Sequence, residues 1–229
     1  MKTHIRRREK NSELIIVFGG WGTDQNAFLP LCTDDHDLIL YYNYSADEPL
    51  VLADFKSYKH IVLIAWSLGV WAAEYFSSSM NFKPDLSIAI NGTPVPVDDK
   101  YGIPLSILEG TLNNINETGI EKYNFRIFGN KTNYENNLDK VARRSVKSFS
   151  DELRWLYNRI METPDSGYNW TIALTCTEDR VFPYANMIKY WKNRSETRHL
   201  SLPLPHYPFF KWKSFNEMIN YLLAETEAG

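Results

Sequence analysis

Three residues in this sequence are of the types that together form a nucleophilic catalytic site: Ser67, Asp179 and His206. A serine hydroxyl is a weak nucleophile, so it needs a histidine to accept its proton and an acid to orient the imidazole. The three residues occur in the order serine, acid, histidine, each just beyond a segment predicted to be a strand. The chemistry that this combination supports is acyl transfer through a covalent acyl-enzyme, which water then hydrolyses.

Ser67 lies in a pattern typical of a nucleophile elbow, the tight strand-to-helix turn that exposes a serine above a sheet. An apolar run follows His60 and predicts a strand, and the alanine-rich segment after Ser67 predicts a helix. Ala65 and Gly69 are small, as is required where the backbones of such a strand and helix approach each other. Because the usual motif has glycine at the position of Ala65, a buried strand and helix that happen to contain a serine is the alternative interpretation.

The acid and the base each have competitors in the sequence. Asp179 is followed by the pattern Asp-x-Val-x-Pro, which favours it over the adjacent Glu178. It also follows a late predicted strand, at the edge where open α/β sheets place their sites. His206 lies in a loop stiffened by Pro205 and Pro208. The other histidines lie inside a strand, before the elbow strand or outside the late loop: His199, His60, His4 and His36.

A glycine-rich loop, Gly19-Gly20-Trp21-Gly22, follows the predicted strand Glu13–Phe18. Such a loop can offer backbone N–H groups, and we predict that those of Trp21 and Leu68 form an oxyanion hole. An ordinary strand-to-helix turn is the alternative, whereas the glycine spacing does not fit a dinucleotide or P-loop site. We expect Trp21, Trp66 and Leu68 to line an acyl channel, although the aromatic residues could equally belong to the core.

The remaining elements predict an α/β fold with a mostly parallel central sheet and flanking helices. Strands alternate with helical segments up to about residue 97 and resume after about residue 168. Between these positions the apolar residues have helical spacing, which predicts a small helical cap insertion over about 97–168. At 229 residues the chain is expected to form a single domain, 1–229, with this insertion inside it.

The insertion carries a cluster of cations. Lys140, Arg143, Arg144 and Lys147 have the spacing i, i+3, i+4 and i+7, which predicts one positive helix face. Ser148 or Ser150 is then expected to cap a second helix, with Arg154 and Arg159 on its flanks. A solvated charged face and a docking surface for an acidic partner are both compatible with this pattern.

Composition excludes several other classes of protein. A net charge of -3 and a pI of about 6.0 argue against a surface built for nucleic acid. No apolar run reaches the ~18 residues of a membrane span, and the basic start of the chain does not continue as a signal peptide. Cys32 and Cys176 form no C-x-x-C pair, which predicts reduced thiols and a cytoplasmic protein. We expect no metal or cofactor, since the adjacent residues of Asp34–Asp37 are poorly placed to converge on one ion.

Four motifs together resemble the BioG family of pimeloyl-[acyl-carrier protein] methyl ester esterases, within the α/β-hydrolase superfamily. Phe18 and the glycine-rich loop, Ala65-Trp66-Ser67-Leu68-Gly69, Asp179-Arg180-Val181-Phe182-Pro183 and Pro205-His206-Tyr207-Pro208-Phe209 carry this resemblance. The related BioH group has a His-Gly-Trp-Gly loop and a glycine at the first elbow position. Phe18-Gly19-Gly20-Trp21-Gly22 and Ala65 stand in those places here, which favours BioG.

The resemblance implies removal of the methyl group from a pimeloyl chain on acyl carrier protein, a step of biotin synthesis that releases methanol. Because acyl carrier proteins are strongly acidic, it also gives the basic insertion a reason. It implies that the carrier docks on Lys140, Arg143, Arg144, Lys147, Arg154 and Arg159. Two alternatives remain open at this point: a thioesterase or general short-chain carboxylesterase with the same catalytic residues, and a non-catalytic binding module on a hydrolase scaffold.

Overall fold

A seven-stranded sheet forms the centre of the described part of the protein. The computed structural model describes residues 1–7, 11–31, 36–45, 55–77, 83–163 and 167–227, so Cys32 and the Asp34–Asp35 part of the acidic cluster lie outside them. The strands are Lys2–Arg6 (β1), Glu13–Phe18 (β2), Asp37–Tyr42 (β3), His60–Trp66 (β4), Leu86–Ile90 (β5), Ile172–Cys176 (β6) and Arg198–Leu202 (β7). Their spatial order is β1-β3-β2-β4-β5-β6-β7.

The strands from β2 onward pair in parallel, as predicted from their continuous apolar runs. In β4, Ile64 lies beside Val17 of β2 and Ile88 of β5, and all three side chains are fully buried. Because the strands are parallel, the carboxyl ends of β2, β4, β5 and β6 lie at one edge of the sheet. The glycine-rich loop, Ser67 and Asp179 therefore start from the same edge.

Strand β1 was not predicted from the sequence. It pairs antiparallel with β3, and Thr3 lies opposite Tyr41. Lys2 and Ile5 are exposed, so the strand lacks the apolar run of a central strand. Charged residues suit an edge strand, because they oppose pairing of its open edge with another strand.

Helices flank the sheet and fill the segment between β5 and β6. Gly69–Ser77 (α1), Tyr184–Trp191 (α6) and Phe215–Glu227 (α7) follow strands or end the described chain. The helical insertion, residues 97–168, contains Leu105–Asn113 (α2), Glu117–Phe128 (α3), Lys131–Asn136 (α4) and Val146–Glu162 (α5). Short 3-10 turns span Gln25–Ala27, Phe55–Ser57, Leu138–Lys140 and Phe209–Lys211. The helical character of this segment agrees with the sequence, while its division as a cap within one domain stays a prediction.

The predicted helix through the basic cluster is wrong. Helix α5 begins at Val146, because the Ser145 side chain accepts a hydrogen bond from the Ser148 N–H at 3.2 Å and caps it. Lys140 instead lies in a 3-10 turn, and Arg143 and Arg144 lie in the non-helical segment between that turn and α5. The spacing of these cations was helical, but the capping serine starts the helix after them. Ser148 and Ser150 lie inside α5 and do not cap it.

In the described residues, the longest stretches of helix are too short or too polar to cross a membrane.

Candidate active site

Ser67 occupies a strained turn between β4 and α1. Its backbone φ of 59° is in the left-handed region, which residues other than glycine rarely adopt. The turn is held by the Ser67 N–H, which donates to the Ile90 carbonyl at 2.9 Å. A Cβ at Gly69 would lie 2.3 Å from the Phe18 carbonyl oxygen, so glycine is required for α1 to start this close to β2. The local geometry is that of the predicted nucleophile elbow.

The structure brings the three predicted catalytic side chains together. His206 Nε2 lies 3.0 Å from Ser67 Oγ, and His206 Nδ1 lies 2.7 Å from Asp179 Oδ2. The side chains of His206 and Asp179 are 0% exposed, and Ser67 is 1% exposed. With Nδ1 donating to the carboxylate, Nε2 is free to accept the serine proton. This arrangement can activate a serine for attack on an acyl group.

Asp179 is fixed by the loop that follows β6. Its Oδ1 accepts from the backbone N–H groups of Val181 and Phe182 at 2.7 and 2.9 Å, which leaves Oδ2 for the histidine. The adjacent Glu178 is exposed. Of the two adjacent carboxylates, Asp179 is therefore the one that contacts His206.

The backbone of His206 is held by two buried donors. The indole Nε1 of Trp66 donates to the His206 carbonyl at 2.8 Å, and Asn91 Nδ2 donates to the same oxygen at 2.9 Å. Asn91 also accepts from the Cys176 N–H at 2.7 Å, at the end of the strand that leads to Asp179. Sequence reasoning missed Asn91, although its place at the carboxyl end of β5 was a signal that could have found it.

The sequence predicts the backbone N–H groups of Trp21 and Leu68 as an oxyanion hole. Within the described part of the chain, neither the Trp21 nor the Leu68 N–H donates to a protein acceptor. Their neighbours are occupied: the Gly22 N–H donates to Glu152 Oε2 at 3.0 Å, and the Trp21 indole donates to the Phe149 carbonyl at 2.9 Å. Because the Trp21 and Leu68 N–H groups have no such acceptor, they are available to a substrate oxygen.

A small cavity of about 50 Å³ adjoins Ser67, and a more open groove of about 600 Å³ lies beside it between α2 and α3. Trp21, Ile107, Thr111 and Arg126 line both the cavity and the groove.

Of the predicted lining residues, Trp21 and Leu68 lie in the wall of the small cavity. Trp66 does not, because its ring packs beneath His206, with ring centroids 5.1 Å apart. Sequence reasoning also missed Tyr123, Arg126 and Val181, which line the cavity from the insertion and from the loop after Asp179.

The cations predicted to dock a carrier are not equivalent. The Arg144 side chain is 5% exposed and pairs with the fully buried Glu152 at 2.7 Å, so it is not a surface charge. Lys140, Lys147 and Arg159 pair with Asp139, Asp151 and Glu162. Arg143 and Arg154 are exposed. The predicted positive helix face is therefore wrong: its four cations do not share one helix, Arg144 is buried, and Lys140 and Lys147 each have an acidic partner.

Other groups that could do chemistry are inert or scattered. Burial raises the pKa of the Cys176 thiol to about 12, so it is neutral at pH 7. Burial also raises the pKa of Glu152, whereas Arg144 and two backbone N–H groups oppose that shift. Among the residues that the structure describes, no three His, Cys, Asp or Glu side chains converge as metal ligands do.

Comparison with known proteins identifies the family. Residues 1–217 match the family described as "Pimeloyl-ACP methyl esterase BioG". The chain belongs to the BioG family. BioG from Haemophilus influenzae, whose crystal structure is known, is 32% identical to this chain in sequence. The two structures superpose with a TM-score of 0.85, over 95% of this chain and 99% of that chain. The resemblance predicted from the sequence motifs is thereby confirmed.

Two further proteins are similar to this chain, one in sequence and one in fold. A malonyl-[acyl-carrier protein] O-methyltransferase of Bacteroides fragilis is 37% identical over 181 residues, which are 79% of this chain and 36% of that protein. This BioG chain thus spans about a third of that relative's length. The enol-lactonase of Burkholderia xenovorans has a TM-score of 0.67 at 13% identity, over 97% of this chain and 96% of that chain. Together with the BioG structure it confirms the predicted α/β-hydrolase fold.

Proposed function

We propose that this protein hydrolyses the methyl ester of pimeloyl-[acyl-carrier protein] methyl ester, releasing methanol, with Ser67 as the nucleophile. The observation that carries the proposal is the hydrogen-bonded chain from Ser67 through His206 to Asp179, in a member of the BioG family. The two backbone N–H groups of Trp21 and Leu68 support it, since acyl transfer requires donors for a developing oxyanion.

In the first half of the reaction, Ser67 Oγ attacks the ester carbonyl while His206 Nε2 accepts its proton. Asp179 keeps the imidazole in the tautomer that can do this and stabilises the imidazolium that forms. The carbonyl oxygen becomes negative and is stabilised by the N–H groups of Trp21 and Leu68. The intermediate collapses when His206 returns the proton to the methoxy oxygen, and methanol leaves.

In the second half, water attacks the acyl-enzyme. His206 takes a proton from this water, a second oxyanion forms, and the C–O bond to Ser67 breaks as the proton passes to Ser67 Oγ. The products are the free carboxyl group of the pimeloyl chain, still on its carrier, and the regenerated enzyme. No cofactor is needed for either half.

The acyl carrier protein is proposed to dock on the exposed cations of the helical insertion. Arg143 and Arg154 are the strongest candidates, because no acid neutralises their side chains among the described residues, whereas Lys140, Lys147 and Arg159 each have an acidic partner. The groove between α2 and α3 adjoins the cavity at Ser67 and is proposed to hold the arm of the carrier. Arg126 lines both the groove and the serine cavity, which suits it to contact the acyl chain or its arm.

The test uses pimeloyl-carrier methyl ester, which contains both a methyl ester and a thioester. We expect methanol release with the thioester intact, and a loss on the order of 10⁶-fold in kcat for Ser67→Ala. Release of free carrier thiol instead of methanol would show a thioesterase. Turnover by Ser67→Ala at the wild-type rate would contradict the role of Ser67 as the nucleophile.

Labelling by a fluorophosphonate separates catalysis from binding alone. An activated Ser67 attacks the phosphorus and displaces fluoride, so we expect labelling of the wild type and none of Ser67→Ala. A wild-type protein that does not label would favour a non-catalytic binding module.

A further inference from the structure

A buried carboxylate outside the catalytic triad contacts the glycine-rich loop. Glu152 is the only acid on the buried face of α5, whose other buried residues are Phe149, Leu153, Leu156 and Ile160. It is 0% exposed. Its Oε2 accepts from the Gly22 N–H at 3.0 Å and its Oε1 from the Tyr44 N–H at 3.1 Å. A carboxylate at this position therefore joins the helical insertion to two loops at the carboxyl edge of the sheet.

Arg144 completes this cluster. Its Nη1 donates to Glu152 Oε2 at 2.7 Å and to the Thr23 carbonyl at 2.8 Å. Its Nη2 donates to Asn43 Oδ1 at 2.6 Å and to the Ser148 carbonyl at 3.0 Å. Both partners are almost fully buried, so loss of either would leave an uncompensated charge in the interior. The ion pair thus reaches the same two core loops as the backbone bonds of Glu152.

These contacts hold the glycine-rich loop at Trp21 and at the two residues that follow it, Gly22 and Thr23. Gly22 has a φ of 75°, and a Cβ there would lie 2.7 Å from the Phe149 ring, so α5 packs directly on the loop. The Gly22 N–H points to Glu152, and the Trp21 indole donates to the Phe149 carbonyl at 2.9 Å. With these two donors turned toward α5, the Trp21 backbone N–H has no acceptor among the described residues and stays available to a substrate oxygen.

We propose that Glu152, paired with Arg144, is a positioning residue that fixes the Trp21 N–H in the oxyanion hole. The proposal rests on the proposed function, because it needs an oxyanion at Ser67. It assigns to the helical insertion a part in the chemical step, in addition to any part in binding the carrier. Oxyanion donors act only where charge develops, so a displaced donor lowers kcat without changing the binding of substrate.

The test is Glu152→Gln, assayed with a small ester such as p-nitrophenyl acetate that needs no carrier docking. An amide has one acceptor oxygen in place of two, so it cannot serve the Gly22 and Tyr44 N–H groups and Arg144 together. Loss of a complete oxyanion donor lowers kcat by about 10²- to 10³-fold. For a displaced donor we expect a fall of about 10- to 100-fold, with KM within about twofold of wild type.

Asp151→Asn is the matched control. It removes the same charge from the neighbouring residue of α5, where Asp151 forms an exposed ion pair with Lys147. We expect wild-type kcat for it. A trifluoromethyl ketone adds a second readout, because Ser67 captures it as a tetrahedral adduct that bears an oxyanion. Its inhibition constant should rise in Glu152→Gln by the same factor as kcat falls, which a change in stability alone would not produce.

Arg144→Lys keeps the proposal testable if Glu152→Gln does not fold. Lysine preserves the charge beside Glu152 but cannot reach Thr23, Asn43 and Ser148 together, so we expect a smaller fall in kcat. Folded variants with wild-type kcat and inhibitor affinity would overturn the positioning role. Hydrolysis of the small ester without hydrolysis of the carrier-bound ester would contradict only the proposed substrate. Absence of any Ser67-dependent hydrolysis would overturn both proposals.

Discussion

At the scale of single residues, Asn91 links the loop that carries His206 to the strand that leads to Asp179. It donates to the His206 and Pro205 carbonyls and accepts from the Cys176 N–H, with all three contacts buried. Its φ of 47° is a conformation that asparagine tolerates better than most residues. The amide group is required because one end must donate while the other accepts.

Asn91→Asp is therefore expected to destabilise the protein by at least about 2 kcal/mol at neutral pH, because a buried carboxylate would face two carbonyl oxygens. Burial and these carbonyls raise the folded-state pKa of the new acid above its unfolded value. The folded state then binds more protons, so the deficit against wild type should shrink as pH falls through that raised pKa. Urea unfolding of both proteins across pH measures this.

Asn186→Asp is the control for this change. Asn186 is also buried and donates to two carbonyls, those of Asp99 and Gly102, neither of which belongs to the loop of His206. Both variants should lose stability, but only Asn91→Asp should also lower kcat of the folded enzyme, since it acts on the His206 loop. Equal kcat in the two variants would contradict the link between Asn91 and the triad.

At the scale of secondary-structure elements, the elbow depends on how closely α1 approaches β2. Gly69→Ala would place a methyl group 2.3 Å from the Phe18 carbonyl and 2.6 Å from the Gly19 carbonyl. Backbone must move to accept it, so we expect a loss of at least about 1–3 kcal/mol in the free energy of unfolding. Activity should fall as well, because the same shift displaces Ser67 and the start of the glycine-rich loop.

Gly110→Ala is the matched substitution in another helix. A Cβ at this position in α2 meets no atom within 4 Å. Alanine restricts the unfolded chain more than glycine and favours helix, so we expect a gain of about 0.4–1 kcal/mol. Thermal or urea unfolding of the two variants side by side checks both signs; equal effects would contradict the steric argument.

At the scale of the whole molecule, charge on the helical insertion decides how an acidic carrier would approach. The chain has a net charge of -3, so attraction must come from a local cluster of cations. Arg144 belongs to the buried pair with Glu152 and takes no part in such a cluster. Lys140, Lys147 and Arg159 are each paired with an acid. Of the six predicted cations, Arg143 and Arg154 are exposed and have no acidic partner among the described residues.

Charge reversal of this pair, Arg143→Glu with Arg154→Glu, should raise KM for the carrier-bound ester on the order of tenfold at low ionic strength. The effect should shrink as salt is added, because exposed charges are screened. Kinetics with a small ester should not change. Lys213→Glu, an exposed position outside the insertion, is the control. Equal KM in wild type and the double variant would place the carrier elsewhere.

The sequence by itself determined the central strands, the tight turn at Ser67 and the three residues that meet beside it. Apolar runs bounded by glycine and by chemistry-bearing residues define parallel strands locally, and parallel strands bring their carboxyl ends together. Ser67, Asp179 and His206 were therefore predicted together, from their places after these strands and from the motifs around them. The family followed from the same motifs.

Only the tertiary structure decided which polar residues support the site and which lie on the surface. Arg144 and Lys147 have the same sequence signature, but one is buried against Glu152 and the other is exposed. Helical spacing of charges predicts a face only if the helix extends through them, and Ser145 starts α5 too late for that. The partners of Asn91 and Glu152 are 85 and 130 residues away in the chain, as the contacts to Cys176 and Gly22 show. Such contacts depend on packing between distant elements, which no local pattern of residues specifies.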